Sequence, residues 1–316
     1  SASIGQVHRA RTLDGREVAV KVQHHGIVEA MEADLKNAGL IDVMARTIGL
    51  GKMEIGRLVQ EARTRFREEL DYELEATRQR AFTTLHAADP RIVIPPVVDA
   101  LSTRRVLTTE LMHGTPFDEA CAAEPELRRR WAEALWQFVY GSIMVGGMFN
   151  ADPHPGNYLM KPDGSVVFFD FGCVETLSLE RRELILRAHD AANAKDYPRF
   201  DDAAAQMLMV APGRHRERVL DYMHFALSPV FRSPFRITRQ FAADVVARFK
   251  AMAMEFAKLP KGEFAQMPPG ILFLNRLQFG FFSILARLDV EVDYGAIEVG
   301  LVEWGWNELR RAKGEA

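Results

Sequence analysis

Apolar and polar positions alternate strictly over residues 17 to 23, EVAVKVQ. Val18, Val20 and Val22 fall on one side, Ala19 and Lys21 on the other, which predicts a strand whose two faces meet different surroundings. From Ile27 to Ile48, and again from Ile55 to about His86, the apolar spacing lengthens to that of a helix, as in Ile55, Val59, Ala62, Phe66 and Leu70. IVIPPVVDA and RRVLTTELMHG then read as two further strands, with Gly114 and Pro116 closing the unit. The pattern gives a strand-rich lobe crossed by a long helix.

Beyond about Thr115 helical spacing dominates. The exception is YLMKPDGSVVFFDFG, where Pro162, Asp163 and Gly164 predict a turn between two short strands. Ser178 with Glu180 marks a helix start, and no strand is expected after it. Residues 270 to 288, GILFLNRLQFGFFSILARL, place Leu274, Leu277, Phe281, Ile284 and Leu288 on one stripe and predict a core helix. Arg232, Arg236 and Arg239 interleave with Phe231, Phe235 and Phe241 and read as a solvated helix face. Ala134 to Ala151 carries no charge over eighteen residues, but Gln137, Ser142, Asn150 and three glycines dilute it. A buried core helix is expected there rather than a membrane span.

Composition narrows the function. The 316 residues are 48% hydrophobic and 26% charged, enough for two lobes with real cores. A net charge of −3 offers no field for a polyanion, so nucleic acid is not expected as a partner. Cys121 and Cys173 lie far apart without metal-ligand spacing, which argues against a disulfide framework or zinc site and fits a reducing cytoplasm. The chain opens at Ser1 inside a functional loop, so its natural N-terminus is expected upstream.

The candidate chemistry lies in four stretches. Lys21 stands in VAVK on a strand, and Asp152 and Asn157 in ADPHPGN keep a D-x-x-x-x-N spacing after an apolar helix. Asp170 opens DFG after an apolar run. A site that moves or releases a γ-phosphoryl needs charge neutralisation, metal ligands and a group that orients the nucleophile. Protein kinases assemble these from a strand Lys paired to a helix Glu, a D-x-x-x-x-N loop and a DFG. Carboxylate and amide oxygens suit magnesium, which assigns Asn157 and Asp170 to the metal, and Asp152 to the nucleophile, a water or a substrate hydroxyl. His154 reads as a structural loop residue and Cys173 as an inert, partly buried thiol.

With SASIGQVHRA (1 to 10), GREVAVKVQ (15 to 23), EELDYELEA (68 to 76), TTELMHG (108 to 114), ADPHPGN and FFDFG, the chain resembles the UbiB family of atypical protein-kinase-like proteins. The resemblance implies an α+β, bilobal protein-kinase-like fold. Residues 1–112 would form a small strand-rich lobe with added helices, and residues 113–316 a larger, mainly helical lobe, with ATP in the cleft. It implies ATP and magnesium as cofactors, and Glu75 as the partner of Lys21 beside Asp152 in the catalytic set. Ala2, Ser3, Gly5, Gln6, Ala19, Lys21, Glu110 and Met112 would line the nucleotide. Glu69 and Asp71 fill the family's E-x-D motif, a second acidic site facing metal or loop, while Glu73 reads as solvated.

Only Gly5 remains where ordinary kinases have a glycine-rich loop, so phosphate is expected to be held differently. The family's Lys-x-Gly-Gln extension is not in the sequence, and its membrane-anchoring segments are not evident. No A-P-E follows DFG, so a peptide platform is not expected. The implied function is magnesium-dependent ATP hydrolysis or phosphoryl transfer to a small or lipid-like substrate, in support of ubiquinone or other isoprenoid-lipid metabolism. Peripheral association with the inner membrane face stays open. Two alternatives are a small-molecule kinase of the aminoglycoside or choline phosphotransferase type, whose D-x-H-x-x-N loop is similar to DPHPGN, and a pseudokinase scaffold that binds nucleotide without turnover.

Overall fold

The structure is a computed structural model that describes residues 4–27, 64, 67–210, 213–256 and 271–315. The helix expected over 27–48, the start of the next one, and Ala2 and Ser3 lie outside the described residues. The chain divides into two compact units. One holds residues 1–84, 94–113 and 169–173, the other 85–93, 114–168 and 174–316.

In the first unit β1 (Gly5–Arg11) and β2 (Glu17–Gln23) form an antiparallel hairpin with Gly5 opposite Gln23. Its turn closes through Thr12 and Arg16, and Gly15 takes φ +90, a left-handed position that favours glycine. Helix α1 (Tyr72–His86) follows. In chain order β3 (Ile92–Val93) comes next, and then β4 (Val106–Glu110), which pairs antiparallel with β2 to give the sheet order β1-β2-β4. Ile4, Tyr72, Ala76 and Leu107 form a buried cluster between helix and sheet.

The expectation of a full strand over IVIPPVVDA is corrected. Only Ile92 and Val93, which belong to the second unit, are extended in a ladder, and they pair parallel with Val166 and Val167 of that same unit. Pro95 and Pro96 have no N–H to continue a ladder. Their carbonyls accept instead from Gln79 Nε2 (2.5 Å) and the Glu110 amide (3.0 Å).

Besides β3, the second unit holds β5 (Thr115–Pro116), α2 (Phe117–Ala120) and α3 (Pro125–Gly141), then β6 (Met148–Asn150), β7 (Tyr158–Met160), β8 (Val166–Phe168) and β9 (Val174–Thr176). Strands β3, β8, β7 and β5 make one sheet, and β6 pairs with β9. Helices α4 (Leu179–Asn193), α5 (Tyr197–Met207), α6 (Arg214–Ala226) and α7 (Ser228–Phe231) follow, then β10 (Phe235–Arg236), α8 (Arg239–Phe256), α9 (Ile271–Leu288), β11 (Glu291–Val292) and α10 (Tyr294–Lys313).

As expected, residues 161–165 turn between β7 and β8, and the Ser178 side chain caps α4 by accepting from the Arg181 amide. Trp136 anchors the core, stacking on Tyr140 at 4.2 Å and lying 4.1 Å from Tyr294. Its indole donates to the fully buried Glu298, which also bonds His189 at 2.7 Å.

Three further sequence expectations are revised. The charge-free stretch is not one helix to Ala151. It is helical to Gly141, widens into a π turn over Ser142–Gly146, breaks at Gly147 (φ 61) and continues as β6. Buried Arg182 donates to the Met144 carbonyl at 2.7 Å, which pairs one acceptor at the break, and to the Gly305 carbonyl at 3.2 Å. No described helix is long and apolar enough to cross a membrane. Strands do occur after Ser178, but β10 and β11 pair over only two residues each, too few to show a period. Arg236 therefore lies in a strand, and the Arg and Phe residues around it do not share a helix face.

Candidate active site

In the first unit, the alternation that makes β2 a strand carries Lys21 to α1. Its ammonium lies 2.9 Å from both carboxylate oxygens of Glu75, one turn into the helix, and 3.6 Å from Asp170 Oδ2. Glu75 is 3% exposed. Burial alone would favour loss of the Lys21 proton, but the Glu75 and Asp170 charges outweigh it and hold the pKa above the ordinary lysine value. The lysine is a cation fixed between two carboxylates.

Asp170 follows β8 with φ 57, an unusual conformation for a residue with a Cβ, which asparagine and aspartate tolerate best. Its Oδ1 accepts from the Gly172 amide at 3.2 Å, a local turn that supports that backbone. The neighbouring residues fasten this stretch to α1. Phe171 is fully buried 4.9 Å from the Phe82 ring, Glu75 accepts from the Phe171 backbone, and Arg78 donates to the Gly172 carbonyl at 2.8 Å.

Gly5 sits where a Cβ would overlap the Val22 carbonyl and come within 2.7 Å of the Tyr72 hydroxyl. Gln6 and Ala19 lie in the hairpin opposite Val22 and Arg9, while Glu110 ends β4 opposite Val18 and Met112 follows it half-buried. Asp71 caps α1, its Oδ1 accepting from the Leu74 amide at 3.1 Å, with Arg104 3.8 Å from its other oxygen. That is a helix-end role for half of the E-x-D pair. Glu69 is half-buried just before it.

In the second unit Asp152 and Asn157 meet, as their spacing predicts. Asn157 Nδ2 donates to the Asp152 carbonyl and to Asp152 Oδ2, both at 3.1 Å. With its nitrogen so engaged, the amide offers its oxygen, the hard donor that magnesium takes. Asp170 offers carboxylate oxygens, so the donor types fit the ion in both units. His154 accepts from the Gly156 amide through Nδ1 at 3.0 Å, a structural loop contact.

Sequence reasoning missed Arg276, which donates to Asp152 Oδ1 at 2.6 Å from 124 residues away. It also missed Gly280, four residues on, where a Cβ would overlap Pro153. Arg276 and Gly280 lie on one face of α9, which packs on the DPHPGN loop there. The signal was available as an arginine four residues before the helix's one glycine, in a helix whose other charged residue, Arg287, lies in the last turn.

A description of the ABC1 atypical kinase-like domain matches residues 1–203. The chain belongs to this family. Among ABC1 (UbiB) relatives, it is 36% identical over 177 residues to atypical kinase coq-8, mitochondrial, of Caenorhabditis elegans, covering 54% of this chain and 23% of that protein. It is 30% identical over 204 residues to atypical kinase COQ8B, mitochondrial, of Rattus norvegicus, covering 63% and 38%. The chain thus spans well under half the length of these ABC1 relatives. Among solved structures, Rv3197 of Mycobacterium tuberculosis in complex with erythromycin superposes with TM-score 0.72 at 28% identity, over 95% of this chain and 75% of that one. The fold is the mixed α+β kinase-like fold, with a small strand-rich N-terminal region.

Proposed function

We propose that the chain is an ATP-using enzyme of the UbiB type, which hydrolyses ATP or transfers its γ-phosphoryl to a small or lipid-like acceptor with magnesium. The observation that carries this reading is the Lys21–Glu75–Asp170 cluster, a fixed cation beside a carboxylate in a strained, locally supported backbone. Such an arrangement positions phosphates and costs no reorganisation at the moment of reaction.

In this reading Lys21 binds phosphate oxygens and Glu75 keeps its ammonium in place. Asp170 would hold magnesium through a carboxylate oxygen and Asn157 through its amide oxygen. Magnesium, when bound, neutralises charge on the transferring group. Asp152 orients the nucleophile through the oxygen it shares with Asn157, while Arg276 fixes the other oxygen. Ala2, Ser3, Gly5, Gln6, Ala19, Glu110 and Met112 would contact the nucleotide.

The choice of a small or lipid-like acceptor rests on the segment after DFG. Residues 174–176 are taken up in β9 and Ser178 already caps α4, which leaves no length for a peptide-docking platform. The coq-8 and COQ8B names of two relatives support a role in ubiquinone or other isoprenoid-lipid metabolism, and peripheral membrane association is part of the proposal.

The test is Asp152→Asn. Turnover of magnesium ATP by the purified protein should fall roughly a hundredfold or more while ATP affinity holds, as for a group acting mainly in the transition state. Turnover within about twofold of wild type would make Asp152 a structural loop residue. Nucleotide binding without turnover in the wild type would identify a scaffold.

A further inference from the structure

Tyr72 opens α1 with no exposed surface, and among the described residues its hydroxyl has no hydrogen-bond partner. Native proteins rarely leave a buried hydroxyl unpaired, so a further acceptor is expected to meet it. Three observations say what kind. The hydroxyl lies against the Gly5 backbone, within 2.7 Å of where a Cβ would stand, at the first residue of β1. The ring lies 5.0 Å from the Lys21 ammonium, and the Tyr72 hydroxyl feels the Lys21, Glu75 and Asp170 charges together. Burial, the larger effect, pushes its pKa up to about 12 despite the nearby lysine, so it remains a proton donor throughout the physiological range.

On the reading of the cluster as a nucleotide site, we infer that Tyr72 is a phosphate-binding residue: its hydroxyl donates to an oxygen of the nucleotide's phosphates, reached when Ile4 and Gly5, at the start of β1, part from it. The loop needs such a donor. With glycine only at position 5, it has less freedom than a glycine-rich loop to fold its own amides over phosphate. Lys21 is already shared by two carboxylates. Gly5 acquires a second explanation, because any side chain there would collide with the Tyr72 hydroxyl and the Val22 carbonyl. The unpaired donor also makes the ligand-free state slightly costly. An arriving phosphate oxygen removes that cost, which adds to affinity.

The experiment compares wild type with Tyr72→Phe, which keeps the buried ring and removes only the donor. Three quantities are read: the ligand-free melting temperature, the affinity for magnesium ATP, and the affinity for adenosine. The expected result is an unchanged or raised melting temperature, ATP binding weakened roughly tenfold and adenosine binding unchanged. A lowered melting temperature would show that the hydroxyl serves the fold and overturn the inference. Equal loss for ATP and adenosine, or no loss for either, would also overturn it. If wild type binds neither ligand, the nucleotide reading itself fails and this inference with it.

Discussion

Lys21 and Glu75 are a buried ion pair before they are anything else, at 14% and 3% side-chain exposure. Removing one partner leaves the other charge in a medium that cannot solvate it, so a single substitution confuses lost chemistry with lost stability. Lys21→Met should destabilise the protein by about 3 kcal/mol because Glu75 is left unpaired. Lys21→Met with Glu75→Leu should recover most of that stability and remain inactive. Urea midpoints and ATP turnover on both proteins check this. A double variant as unstable as the single one would mean that the pair is not the source of the loss. The pairing was foreseen from family resemblance, not from spacing, since 54 residues separate the partners and Glu69, Asp71 and Glu73 compete nearby. Only a helix laid across a strand can select among them.

At the level of elements, α9 both fills the core and holds the loop. Leu277, Phe281, Ile284 and Leu288 are buried as their spacing foretells. Arg276 and Gly280 instead address Asp152 and Pro153. Gly280→Ala should displace the loop that carries Asp152 and lower turnover roughly tenfold to a hundredfold, since small misplacements cost that much. Gly300→Ala, in α10 with open space around it, should leave turnover unchanged and add about 0.5–1 kcal/mol of stability. Turnover measured beside thermal melts separates the two, and a Gly280→Ala enzyme of normal activity would refute the role given to α9. The stripe of α9 and the β2 alternation were legible because their patterns repeat. Two-residue strands such as β10 and β11 were not, because a ladder of that length is fixed by tertiary pairing alone. The π turn was hidden for a similar reason, since nothing local distinguishes Ser142–Gly146 from ordinary helix until Gly147 and Arg182 are seen together.

For the molecule as a whole, pH response is written in His86. It is buried at 4% exposure, against Phe138 and Ser142, and burial lowers its pKa from 6.5 to about 4. Above pH 6.5 the ring is neutral in folded and unfolded chains alike, and its contribution to stability is complete. As pH falls the unfolded chain takes the proton first and the folded one only near pH 4, so stability declines between those values. From pH 7 to pH 5 the decline from this group should be roughly 2 kcal/mol. Denaturant titrations at both pH values test it, with His86→Gln expected to flatten the difference. An unaltered slope in that variant would assign the acid sensitivity elsewhere.

The cation between Glu75 and Asp170 has one more consequence: with both carboxyls ionised, as the lysine favours against the burial that pushes the Glu75 pKa up, one positive and two negative charges leave the cluster at minus one. A bare polyanion approaching it meets net repulsion, even though a lysine stands at its centre. Attraction returns only when the visitor brings its own positive charge. On the proposed nucleotide reading, these three side chains would favour nucleotide that arrives already complexed with metal over the bare anion.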